Sequence, residues 1–295
     1  MEIAALLAVA SALCVAIGDV LQQTAAHCIT DRSVGHVGLV ATLLRNQRWR
    51  WGALLLVASI ALQAAALGRG SVLLVQALLM LSVLFALPIN ARFSNRTVSA
   101  REWIWGGLLT AAVIVFVTVG NPPAGRSSAP LKTWAVVAVV LAPLLVACVV
   151  AGRTWGGVTA AALFAFVAGS LWGVFAVLTK EVVARLGDGQ WAVVRTADLY
   201  AWLLVAVGGF VWGQAAFRAG PLTASMPTLA VSQPVVAAVL GVVVLDETFD
   251  TGRAGVVALV AAIIVMTVAI IKLARVDAVA TRDRVDAGLQ TAVPA

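Results

Sequence analysis

Charge is scarce in this chain: Asp, Glu, Lys and Arg make up 11% of its 295 residues, and Lys occurs only at 132, 180 and 272. A soluble domain carries about 25% charged residues, and here apolar residues supply 62%, so an ordinary water-soluble fold is excluded. Histidine is almost missing. His27 and His36 lie nine apart, and Cys14, Cys28 and Cys148 show no metal-ligand spacing. The cysteines read as small apolar packing residues. No phosphate-binding loop or ATPase motif occurs. The chain is therefore not expected to be an enzyme, no cofactor is expected, a metal is left open, and any transport would run on a gradient or passively. The net charge of +7 is explained by loops facing anionic lipid, so the expected partners are membrane lipids and a small-molecule or cation substrate, not nucleic acid.

What the chain does have is apolar runs of bilayer length. They lie near 3–25, 51–68, 70–89, 103–120, 133–151, 158–179, 197–213, 221–244 and 253–272, and about 20 such residues cross the roughly 30 Å hydrocarbon core. The expectation is an all-α polytopic membrane protein with nine transmembrane helices. A tenth would require the short apolar piece 37–45 to dip in and return. Glu2 before the first run, where a signal peptide wants a positive residue, argues against cleavage. With nine spans and the N-terminus outside, 13 of the 20 Lys and Arg residues fall on the cytoplasmic side, including Arg45, Arg48, Arg50, Arg92, Arg96 and Arg101. The expected location is a bacterial plasma membrane, with the N-terminus outside and the C-terminus in the cytoplasm.

The second half echoes the first. Gln63-Ala64-Ala65 ahead of Gly70-Ser71 is answered by Gln214-Ala215-Ala216 ahead of Gly220-Pro221, about 151 residues on. This reads as two repeats of four spans, residues 1–120 (with a cytoplasmic loop at 26–50) and 153–275, joined by a central helix within 121–152. Residues 276–295 read as a disordered cytoplasmic tail. One odd helix between two four-span units inverts the second relative to the first, the arrangement that lets a central site open alternately to either face.

Several motifs resemble the drug/metabolite transporter (EamA-like) superfamily, and within it the NIPA-like branch of proposed magnesium transporters. They are Gln63-Ala64-Ala65-Ala66-Leu67, Gly70 to Gln76, Gly169-Ser170-Leu171-Trp172-Gly173 with Lys180, Pro221 to Gln233-Pro234, and Leu245-Asp246-Glu247-Thr248. The resemblance implies a secondary transporter moving a small polar or amphipathic solute by alternating access, with coupling to protons or cations. The alternatives are a divalent-cation (Mg²⁺) permease and a non-transporting scaffold or lipid-binding protein. Gly18-Asp19-Val20-Leu21-Gln22-Gln23 departs from the NIPA-like pattern.

Candidate site residues follow from the cost of polar groups at membrane depth. Asp19 is the sharpest, with Gln22 on its face, and it is expected in a polar cavity near Gln76 and Gln233. Gln63 and Gln214 occupy matching positions, and Trp172 lies deep in its span. Each of these glutamines also has a reading as helix-helix glue. Pro227 and Pro234 are helix-break candidates in the eighth span. Lys180, Glu181, Arg195 and Asp198 form a candidate outer gate, or ordinary snorkelling charges, with Arg195 and Asp198 spaced to pair. Asp246 and Glu247 are placed at the inner end of the eighth span. Glu247, which matches an acidic residue of the resembled family, is expected to cap the last helix or pair with Arg253. Gly169-x-x-x-Gly173 and Gly209-x-x-x-Gly213 form small-residue packing faces that admit a homodimer without requiring one.

Overall fold

The computed structural model describes residues 2–27, 46–93, 97–187, 194, 196–249 and 251–291, with side chains except at 22–27, 93, 222, 277–278 and 280–291. The piece 37–45 therefore lies outside the described residues. The elements are α1 (Glu2–His27), α2 (Gln47–Leu67), α3 (Val72–Leu79), α4 (Leu81–Phe93), α5 (Ala100–Gly120), α6 (Leu131–Trp155), α7 (Gly157–Gly187), α8 (Ala197–Ala219), α9 (Leu222–Leu245) and α10 (Arg253–Thr291). Among the described residues nine helical spans are long and apolar enough to cross a membrane, α3 and α4 together making one of them. The fold is that of a polytopic all-α membrane protein.

Local chemistry sets several helix starts. The Asn46 side chain accepts the N–H groups of Arg48 and Trp49 at 2.9 and 3.3 Å, opening α2. Ser71 accepts the N–H of Leu74 at 3.1 Å, opening α3. Ser99 and Glu102 form a reciprocal capping box at α5, a Ser-x-x-Glu signature that can be read from sequence. Each cap satisfies donors that no intrahelical carbonyl can reach.

Two differences from expectation stand out. The third span is broken at Met80, whereas the eighth (α9) is one continuous helix through both Pro227 and Pro234. The last helix also runs on to Thr291, where a disordered tail was expected from 276. Residues 276–287 contain neither Gly nor Pro, so nothing in that stretch strongly opposes helix.

The helix α7 is the axle of the bundle, with α8, α9 and α6 packed around it, while α1 packs on α2, α3 and α4, and α5 packs on α10. Glycine makes the α7–α9 crossing close enough for this role. A Cβ at Gly173 would lie 2.8 Å from the Gln233 carbonyl oxygen and 2.9 Å from the Ala237 nitrogen, and one at Gly169 would collide with Ser232 Oγ. The small-residue face of α7 is thus consumed within the chain. By contrast α6 lies on the rim, buried over only 6% of its apolar window against 67% for α7.

Candidate functional site

Three distant parts of the sequence meet at one end of the bundle. Lys180 Nζ, near the end of α7, lies 2.8 Å from Glu247 Oε1, in the turn after α9, and the two side chains are 5% and 0% exposed. The same carboxylate accepts the N–H of Val72 at 2.7 Å and of Leu73 at 3.0 Å. These donors sit in the first turn of α3, where the helix dipole favours negative charge. Burying an ion pair costs several kcal/mol per ion, roughly, unless the remaining hydrogen-bonding capacity is met. Here both oxygens have donors, and Oε1 has two.

The backbone aims the carboxylate. Asp246 adopts the left-handed conformation (φ 51°, ψ 35°) that ends α9. The chain then turns back so that the Glu247 N–H donates to the Gly241 carbonyl at 3.0 Å. The connection between α5 and α6 lies across this turn. Gly125 approaches the Leu245 carbonyl so closely that a Cβ would collide with it, and the Arg126 N–H donates to that carbonyl at 2.7 Å. The Arg126 guanidinium also pairs with Asp246 at 2.8 Å, on the exposed surface. Next to Lys180, Glu181 turns to other partners, accepting from the Ala129 N–H at 2.8 Å and the Trp134 indole N–H at 3.0 Å.

This geometry corrects several expectations. Glu247 neither caps the last helix nor pairs with Arg253, which is exposed; it caps α3 and holds Lys180. Nor does it lie at the opposite end from Lys180, because alternating spans bring the ends of the sixth and eighth to one face. Lys180 and Glu181 do not form one exposed gate with Asp198. Asp198 pairs instead with Arg185 at 3.2 Å, and Arg195 lies outside the described residues.

Directly beneath the pair is a cavity of about 400 Å³ between α3, α5, α9 and α10. Leu73 belongs to both features, since its N–H binds Glu247 while its side chain lines the cavity. The walls are otherwise apolar, including Phe116, Pro234, Phe249 and Met266, with the Gln76 amide and the Thr267 hydroxyl as polar exceptions. Gln76 is 3% exposed and its Nε2 has no hydrogen-bond partner. The Thr267 hydroxyl already donates to the Ile263 carbonyl at 2.8 Å.

Gln76 and Pro234 are thus brought together, but other candidates are not. Asp19 is exposed on α1. Ala4 sits against Gly70 at the start of the third span, so at 1.5 Å per residue Asp19 lies about 22 Å further down, while Gln76 is only about 6 Å below Val72. Gln233 is half-buried, with its carbonyl against Gly173. Gln63 is half-buried in α2, Gln214 is exposed on α8, and the side chain of Gln22 lies outside those described. Trp172 packs edge-on against Phe175 at 5.2 Å and over Gly209, serving the α7–α8 contact. The residues that sequence reasoning missed are Gly125, Arg126 and Trp134. Their signal was a short polar loop after two prolines, set between two apolar runs.

Fold and site together define the class, a polytopic all-α membrane protein with an apolar internal cavity below a buried ion pair. The chain is 33% identical over 281 residues to the uncharacterized protein Cgl0250/cg0304 of Corynebacterium glutamicum, covering 92% of this chain and 95% of that one, and it belongs to the same family. No known family profile matches the chain, and no solved structure matches it.

Proposed function

We propose that this protein is a secondary transporter of the drug/metabolite class, moving a small amphipathic solute across the bacterial plasma membrane by alternating access. The observation that carries the reading is the buried Lys180–Glu247 pair beside the cavity, joined to it through Leu73. A buried ion pair often contributes little net stability over apolar residues of the same size, and its best-attested use is to fix one of two alternative arrangements. Here it ties α3, α7 and α9 at a single face, which the charge distribution puts outside. Breaking it would free those three elements together. The packing is in keeping with two four-span repeats, α1 on α2 and α3–α4 being echoed by α7 on α8 and α9, with α5 meeting its counterpart α10; the odd helix between them would invert the second.

The divalent-cation reading is less favoured, because Mg²⁺ wants carboxylates or several oxygens and the cavity walls carry no carboxylate among the described residues. The test is flux in proteoliposomes against a solute panel, with and without a proton gradient. The parent protein should move at least one amphipathic solute, and the folded double variant Lys180→Met/Glu247→Gln should lose gradient-driven accumulation while retaining passive exchange. Absence of any flux across the panel would remove the reading.

A further inference from the structure

The cavity has chemistry specific enough to name what it takes, given the transport reading above on which this rests. Its walls are hydrocarbon from four elements, and the amide nitrogen of Gln76 is buried within the bundle without an acceptor. A buried donor left unpaired is destabilising, so the site is incomplete as it stands. The Thr267 hydroxyl is already committed to its own helix, which leaves Gln76 as the described polar lining residue with unused donor capacity, its amide nitrogen sitting behind the wall surface so that a turn of the side chain is needed to present it. Among the described residues no carboxylate lines the cavity to balance a cation, and no Lys or Arg lines it to balance an anion. A charged solute would therefore enter unpaired, at prohibitive cost in a hydrocarbon-walled site.

The mouth points the same way. Val235, Val239, Val242 and Val243 of α9 and Ile263 of α10 line the cavity and are also exposed on the outside of the bundle. They belong to spans, within a stretch of α9 that is apolar from end to end. The opening therefore faces sideways along the apolar flank of α9, from Val235 up to Val243 near the end of that helix. A volume of about 400 Å³ falls in the range of pockets for drug-sized ligands, about 300–1,000 Å³.

The geometry points to a binding site for an uncharged, mostly apolar molecule bearing a hydrogen-bond acceptor, admitted from the lipid phase and recognised through that acceptor by Gln76. The acceptor chemistry is that of a ketone, ester, ether or amide. The donor selects against pure hydrocarbon, and the absence of charge among the described wall residues selects against lipophilic ions. An acyl chain of the surrounding lipid would fill the volume without using the amide, so the amide separates the two occupants.

The experiment uses the full-length protein in lipid nanodiscs and benzophenone, which is uncharged, carries one carbonyl acceptor, fits the volume and inserts into nearby C–H bonds when irradiated. Labelled peptides are mapped by mass spectrometry. The expected result is label concentrated on the cavity wall, at Met266 and the α9 valines. Unlabelled fluorenone should compete, while diphenylmethane, the same skeleton without the carbonyl, should compete at least fivefold more weakly, and tetraphenylphosphonium should not compete. Gln76→Leu, which keeps the bulk and removes the donor, should lower occupancy about fivefold to tenfold, as the loss of one hydrogen bond implies. Gln76→Met serves the same purpose if the first variant folds poorly.

Equal competition by diphenylmethane, or label spread over all lipid-facing valines irrespective of residue 76, would overturn the assignment and leave a groove for lipid chains. Protection of the mouth by a second copy, seen as a dimer in native mass spectrometry with no label taken up, would overturn it as well. Flux of a panel solute with no cavity labelling would sink this inference and leave transport standing. Labelling without flux would do the reverse.

Discussion

The buried ion pair and the cavity beneath it share Leu73 but obey opposite rules. At the pair, both carboxylate oxygens are supplied with donors, and the backbone of α3, the α9 turn and Lys180 all converge on one side chain. In the cavity a polar nitrogen is left without a partner inside apolar walls. A saturated node holds one arrangement, whereas an unsaturated one waits for something to complete it. The first reads as a lock and the second as a receptor, and they sit one helical turn apart on α3.

Removing one half of the lock should give the largest effect. Lys180→Met leaves a buried carboxylate with backbone donors only, and breaking a buried pair this way costs about 3–5 kcal/mol in soluble proteins. A lowered thermal midpoint in detergent should report it, with much of the loss recovered in Lys180→Met/Glu247→Gln. A single variant as stable as the parent would mean that the pair carries no tension.

The seam that carries the lock should come next. Gly173→Val places a branched side chain against the Gln233 carbonyl and the Ala237 nitrogen, and overpacking of this kind costs about 1–3 kcal/mol. Stability and folded yield should both fall, and an unchanged midpoint would show that α7 and α9 can separate freely.

Gln76→Leu sharpens the contrast by acting in two directions. It removes an unpartnered buried donor and should raise stability by about 1 kcal/mol, while weakening solute binding in the same preparation. Loss of stability would place Gln76 among the helix-helix contacts instead. The smallest effect belongs to Arg126→Ala, which breaks an exposed pair with Asp246 of a kind worth about 0–1 kcal/mol. A change well above that range would make the α5–α6 connection part of the lock.

The spans were legible because only apolar runs of this length cross a bilayer, and each expected run became helical, the third as the pair α3 and α4. Gln76 was legible for a related reason, since an amide well inside a span demands an explanation. The pairing of Lys180 with Glu247 was not, because residues 67 apart at the ends of different helices carry no spacing signal. The acid was visible as a motif residue, but its partners, the N–H groups of Val72 and Leu73, are backbone and leave no trace in sequence. Asp198 shows the same limit, since its pairing with Arg185 at the end of α7 carries no spacing signal either. Nor does apolarity separate rim from axle. The rim helix α6 and the axle α7 are both apolar throughout, and what marks α7 is its Gly and Ala content at crossings, a feature that reads clearly only once the neighbours are known.

Closure of the cavity by the Lys180–Glu247 pair can be measured directly. Ala77 lines that cavity and is 3% exposed, and Ala77→Cys in a background with Cys14, Cys28 and Cys148 replaced gives a single reporter thiol. A membrane-impermeant thiol reagent would be applied from the face that carries residues 246–249. Modification should be slow with the lock intact and at least tenfold faster in Lys180→Met/Glu247→Gln. Equal rates in the two proteins would contradict it.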